Sequence, residues 1–312
     1  MRLESTRDAY GKTLTELGAE IADIVVLDAD LSKSTKTITF AKEFPDRFFD
    51  CGIAEQNMMS IAAGFAASGK VPFASTFAVF ASGRCFDQLR VSIAQPGLNV
   101  KVVATHGGIT VGEDGASHQG IEDLALVSPL PNFTVIVPAD SVEAAQAVRA
   151  AAKAHGPFYI RMSRSSTPVI FGDDYKFTIG KSVTIREGSD AVIIAVGIMV
   201  ASAIEAAERL AADGINCRVI NMATVKPLDE EAIIKAAAET GCIVTAEEHL
   251  VRGGVGSAIA QVIAKNKPVP MEFVAIERNN AKSGKPELLL ERCRLTAGNI
   301  EQAVRACINR KG

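Results

Sequence analysis

Glu55 is the side chain in this sequence best placed to do chemistry. It lies in residues 50–64, D-C-G-I-A-E-Q-N-M-M-S-I-A-A-G, a small and apolar run with no Lys or Arg to pair it. A carboxylate in such surroundings faces a desolvation penalty, so either its pKa rises or it finds a specific polar partner. A carboxyl that stays protonated near neutral pH can donate a hydrogen bond to a ring nitrogen. The plainer alternative is a first-turn helix residue, where the macrodipole favours negative charge.

Residues 105–120, T-H-G-G-I-T-V-G-E-D-G-A-S-H-Q-G, hold five Gly, the pair Glu113-Asp114, and two of the four His, His106 and His118. Such a loop is costly to order. It is either a solvated surface segment or a site, and its place after an apolar run sets it at the carboxyl end of a parallel sheet, where open α/β folds bind ligands. In P-F-Y-I-R-M-S-R-S, Arg161 and Arg164 leave another strand on the same sheet edge. Arg suits bidentate phosphate contacts, with surface salt bridging as the alternative. Arg7 and the loop D-A-D-L-S-K-S, residues 28–34, add polar groups at a strand end. Phe77 and Phe80, in S-T-F-A-V-F, follow a strand and also read as plain core.

The elements that must position these groups alternate strand and helix. Helices are expected at 7–21, 55–68 and 86–94, and at 141–154 with Ser141 as N-cap. Strands are expected at 24–27, 71–76, 101–105, 134–138 and 158–161. This is a doubly wound α/β module. Pro, Gly, Asp and Lys then punctuate the chain, and a second alternation follows. The boundaries are a first domain at 1–170, a linker at 171–188 and a smaller α/β domain at 189–312.

The bulk numbers agree with two domains. The chain has 312 residues, 48% of them hydrophobic but only 5% aromatic, so Ala, Val, Ile and Leu must build the core. A net charge of −3 gives no footprint for nucleic acid or a membrane surface. No apolar stretch reaches bilayer length. The six Cys form no C-x-x-C pair and read as buried thiols in a reducing compartment, which with no apolar signal core points to the cytoplasm.

Together these strings resemble the transketolase family of thiamin-diphosphate enzymes. The resemblance rests on E-Q-N-M, S-T-F, F-D-Q-L-R, T-H-x-G-x-x-x-G-E-D-G-x-S-H-Q, V-K-P-L-D, A-E-E-H and S-G-K-P-E-L-L. It spans essentially this whole chain but about the back two-thirds of the family's usual polypeptide, as a cut between domains would leave. It implies a thiamin-diphosphate-binding fold: a pyrimidine-binding module followed by a transketolase C-terminal domain, as in the small subunit of a split, two-gene transketolase. The G-D-G…N domain for the diphosphate and its Mg²⁺ or Ca²⁺ is then the partner's, in an α2β2 assembly, and this chain holds no metal ligands.

The resemblance also implies roles. Glu55 matches the glutamate that hydrogen-bonds the aminopyrimidine nitrogen and so promotes deprotonation of the thiazolium carbon. Phe80 matches the aromatic that packs on the pyrimidine, with Phe77 beside it and Asp30 near the cofactor and the subunit interface. Arg7, Ser34, His106 and Arg164 match the sugar-phosphate contacts. Asp114 matches the carboxylate that reads a substrate hydroxyl, and His118 a further active-site histidine. The implied reaction moves a two-carbon ketol unit between sugar phosphates, in the pentose phosphate route or a specialised sugar pathway. The competing readings are the beta subunit of a 2-oxo-acid dehydrogenase, which has no need of a phosphate site for sugars, and a non-catalytic scaffold. The stretch 81–85 is one residue longer than the family pattern and carries Gly83 where many members have an aromatic. His155 reads as a surface loop residue and His249 as structural or interfacial. Gly253 to Ser257, G-G-V-G-S, with Glu277 beyond a later strand, imitates a dinucleotide motif but lacks its third glycine.

Overall fold

The computed structural model describes residues 2–172, 174–277 and 282–311. A seven-stranded sheet runs in the order Thr224–Lys226, Thr134–Ile136, Phe158–Arg161, Lys101–Thr105, Val71–Phe77, Ile24–Asp28, Phe48–Asp50. All neighbours are parallel except the edge strand Thr224–Lys226. A second sheet of five strands runs Met271–Ile276, Ile243–Leu250, Ala191–Ala195, Cys217–Asn221, Val183–Arg186, with only the last antiparallel. The central strands are buried on both faces, which is why they read as continuous apolar runs.

Small residues let the helices close on the first sheet. Tyr10, Leu14 and Leu17 of Thr6–Glu20 share one cluster with Ala144, Ala147, Val148 and Ala151 of Ser141–Lys153. On the other face, Met58, Met59 and Ala62 meet Leu89 and Ile93. That cluster continues through Val137 and Val225 to Val192 and Ile220, so one core joins both halves of the chain.

Local chemistry moves several elements from where the sequence puts them. The N-cap of Ser141–Lys153 is Asp140, not Ser141. The Asp140 carboxylate accepts from Glu143 N at 2.8 Å and from Ile170 N and Phe171 N, whereas Ser141 Oγ donates to Glu4 Oε2. The expected linker contains a strand, Val183–Arg186. Thr224–Lys226 leaves the second half to pair with Thr134–Ile136 of the first sheet. In place of one helix at 86–94 there are two π-helical segments, Phe80–Arg84 and Gln88–Ala94. A π turn takes up an extra residue without breaking the helix, which matches the one-residue excess at 81–85.

Candidate active site

Glu55 opens the helix Glu55–Ala67 and is 4% exposed. Its own run supplies no cation, but the chain does 29 residues later: Arg84 Nη1 lies 2.8 Å from Glu55 Oε1. The buried carboxylate has therefore found the specific partner that desolvation demands. The π turn Phe80–Arg84 carries that arginine, and Gln56 Nε2 donates to Arg84 O at 3.0 Å, which fixes the turn to the helix. The guanidinium carbon also sits 3.9 Å from the Phe80 ring centroid.

From Phe80 a line of flat groups runs inward. Phe77 lies 5.7 Å from Phe80 and nearly parallel to it, and His106 stacks on Phe77 with centroids 3.7 Å apart. His118 meets both phenyl rings edge-on, at 5.3 and 6.0 Å. His106 has a left-handed backbone, φ 60°, and is buried, with Nδ1 2.9 Å from Thr105 Oγ1. Burial, and then the positive Arg7 and Arg164, push its pKa down to about 2. The imidazole is thus a neutral hydrogen-bonding group.

Beyond His106 the site turns cationic. Arg7 Nη1 donates to Ser34 O at 2.7 Å, and Nη2 donates to Arg164 O at 3.0 Å. The buried Nε of Arg7 has no partner among the described residues. Arg164 Nη1 donates to Val111 O. Two devices assemble this end. Leu3–Glu4 pairs with Thr167–Pro168, which brings the start of the chain beside Arg164. The Asp28 carboxylate accepts from Leu31 N, Thr35 Oγ1 and Thr37 Oγ1 at 2.6 to 2.9 Å, which shapes the loop that bears Ser34.

Glu55, Phe80, Phe77, His106 and His118 are therefore linked contact by contact through Arg84, and Arg7, Ser34 and Arg164 form a second linked group whose charges act on His106. Asp30 and Asp114 are exposed and have no direct contact with this chain of residues; Asp30 N is held by Asp50 Oδ1. Arg161 does not reach a ligand position. It is buried, its Nε donates to Asp123 at 2.9 Å, and its Nη2 donates to Gly120 O and Glu248 O. The loop at 105–120 is ordered by the same junction. Glu248 accepts from Thr110 N at 2.7 Å, and a Cβ at Gly108, where φ is +88°, would stand 2.1 Å from the Glu248 carboxyl carbon. His249 is buried in this junction, with Nδ1 2.8 Å from Leu250 O and Nε2 accepting from Ala125 N; His155 is exposed. The G-G-V-G-S turn does open a helix, Val255–Asn266, but the Glu247 carboxylate already accepts from Val255 N and Gly256 N at 2.8 Å. An internal carboxyl group, its pKa pushed up to about 7 by burial, fills the place a pyrophosphate would need.

Sequence reasoning missed Arg84, Asp123 and Glu248. Only Arg84 left a signal, the extra residue beside it. Among the described residues no group of three or more His, Cys, Asp or Glu side chains is arranged to hold a metal ion, and no helix is long and apolar enough to cross a membrane.

The description "Transketolase, pyrimidine binding domain" matches residues 4–169, and "Transketolase, C-terminal domain" matches residues 180–300. The chain belongs to the transketolase family. A transketolase C-terminal section, so named by inference, from Methanocaldococcus jannaschii is 46% identical, with 96% of this chain and 94% of the relative covered. A 6-deoxy-6-sulfo-D-fructose transketolase subunit from a Clostridium species is 42% identical over 98% and 95%. Human transketolase is 38% identical over 98% of this chain but 49% of its own length, so the chain matches about half of an undivided transketolase rather than two-thirds. Among solved structures, a split-gene transketolase described as an inactive beta4 tetramer superposes with a TM-score of 0.93 at 51% identity, covering 99% of both chains. The chain is thus a transketolase-family C-terminal subunit of the split kind, and the family implies thiamin diphosphate.

Proposed function

We propose that this chain, joined to a subunit carrying the diphosphate-binding domain, transfers a two-carbon ketol unit from a ketose phosphate to an aldose phosphate. The observation that carries this reading is a succession of groups, in which the guanidiniums come near enough to His106 for their charge to lower its pKa. The succession leads from a buried carboxylate and stacked phenyl rings to two guanidiniums gathered by Ser34 and Val111. The first end fits the pyrimidine of thiamin diphosphate: Phe80 already carries a flat nitrogen-rich group on its face, and Glu55 already accepts from it. When bound, that cofactor supplies the nucleophilic carbon and the electron sink for cleavage beside a carbonyl.

The chain's own residues do the rest. Glu55 holds the pyrimidine edge and governs its protonation. Phe77 and Phe80 exclude water from it. His106, neutral and fixed by Thr105, donates or accepts at a substrate oxygen without adding charge. Arg7 and Arg164, with Ser34, anchor the terminal anion, while His118 and Asp114 face the sugar chain. The metal and the diphosphate are assigned to the partner subunit, in an α2β2 assembly with two sites.

Two arginines at the anion end favour a phosphate monoester, which carries about −1.5 to −2 at pH 7. They also argue against a 2-oxo-acid dehydrogenase, whose substrates need no such anchor, and a scaffold would need none of these groups. The 42% identical sulfo-sugar subunit makes a singly charged sulfonate the second reading. The test is a ketol-transfer assay on the reconstituted assembly with xylulose 5-phosphate, 6-deoxy-6-sulfofructose and pyruvate as donors. Turnover of the first supports the proposal, preference for the second shifts the anion, and turnover of pyruvate alone rejects it. Glu55→Gln should slow hydrogen exchange at the cofactor's reactive carbon by roughly 10² to 10⁴. Wild-type exchange in that variant would sink the assignment of Glu55.

A further inference from the structure

Arg84 makes, within the chain, the same two contacts that the proposed function assigns to the cofactor's pyrimidine. Its Nη1 donates to Glu55 Oε1 at 2.8 Å, and its guanidinium carbon lies 3.9 Å from the Phe80 centroid. A guanidinium and an aminopyrimidine whose ring nitrogen has taken the proton from Glu55 share a shape and a bonding pattern: both are flat cations, with N–H donors in the plane aimed at the carboxylate and faces that stack on an aromatic ring. On the open face of Phe80 the two groups would compete for one place. Phe80 is 8% exposed and its other flanks are taken by Phe77 and His118. The Glu55 side chain is 5% exposed, and the half-exposed Arg84 covers the side from which solvent would reach it.

We propose that Arg84 is a positioning residue that occupies the pyrimidine subsite in the empty chain and that the cofactor enters by displacing it. While seated, Arg84 keeps the buried Glu55 paired and Phe80 covered, so the site holds its shape without a ligand. The geometry also provides a way out. Arg84 ends the π turn Phe80–Arg84, and a Cβ on its neighbour Gly83 would meet nothing within 4 Å, so this backbone borders open space.

This inference rests on the functional reading, and the experiment separates the two. Thiamin diphosphate with Mg²⁺ is titrated calorimetrically into the reconstituted assembly bearing wild-type chain, Arg84→Met or Arg84→Lys. Arg84→Met should bind about 5- to 30-fold more tightly, the factor for no longer breaking one ion pair and one cation–π contact. Arg84→Lys keeps the charge but not the flat face and should fall between. A structure of the loaded wild-type assembly should show Arg84 turned away from Glu55. Equal or weaker binding by folded Arg84→Met, or an intact ion pair beside bound cofactor, overturns the inference alone. Failure of the wild-type assembly and both variants to bind overturns the functional reading as well.

Discussion

Replacing Arg161 by Met should destabilise the chain's central junction while leaving the residues of the candidate site untouched. Arg161 is 6% exposed and its partner Asp123 is fully buried. The guanidinium bonds both Asp123 oxygens and the carbonyls of Gly120 and Glu248, and Tyr159 OH donates to the same carboxylate. Met fills similar volume but leaves a buried charge without its cation and takes a donor from the Gly120 and Glu248 carbonyls, of which Gly120 O keeps Gly108 N. Breaking one side of a buried pair costs about 3 to 5 kcal/mol, roughly two to nearly four decades in the folded-to-unfolded ratio. Urea unfolding followed by circular dichroism reads this, with an unchanged slope showing that only stability has moved. Adding Asp123→Asn keeps an acceptor for Tyr159 and removes the stranded charge. The double variant should therefore recover about 0.5 to 3 kcal/mol of the loss. Arg164→Met is the contrast, because Arg164 is only partly buried, and it should cost under about 1 kcal/mol. An Arg161→Met chain within about 1 kcal/mol of wild type, or a double variant less stable than the single, would refute the reasoning.

Three further outcomes follow from the same contacts. Arg164→Ala and His106→Ala should each raise KM for a phosphorylated acceptor by about 10- to 150-fold, with a smaller effect on glycolaldehyde; equal losses would remove the phosphate role. His106, with its folded pKa pushed from 6.5 to about 2 by burial, should show no titration between pH 5 and 8 in ¹⁵N spectra of its ring. The unfolded chain takes up that proton and the folded one does not, so its stabilising effect is complete above pH 6.5 and declines as pH falls toward 2. Gly108→Ala should lose about 3 kcal/mol or more in urea unfolding, because the left-handed backbone strains Ala and its Cβ drives Glu248 off Thr110 N.

The sequence by itself determined the α/β alternation, because buried parallel strands must be continuous apolar runs and the helices on them must carry small faces. It also marked most of the residues that the structure gathers into the candidate site. Glu55, the Gly-rich loop with His106 and His118, and Arg164 stand at strand ends or a helix start, where side-chain type and position already limit what chemistry is possible. Only the tertiary structure decided which charges meet. Arg161 and Arg164 read alike in sequence, yet Arg161 points into the junction toward Asp123 and Arg164 reaches the Arg7 cluster, because the loop at 110–123 folds back between them. The partner of Glu55 was equally hidden. An ion pair needs proximity in space, and a single π turn, worth one residue of phase, swings Arg84 over Phe80 and onto a carboxylate 29 positions away. Local pattern carries period and polarity; long-range pairing depends on how separate elements are stacked, and no window of sequence contains that.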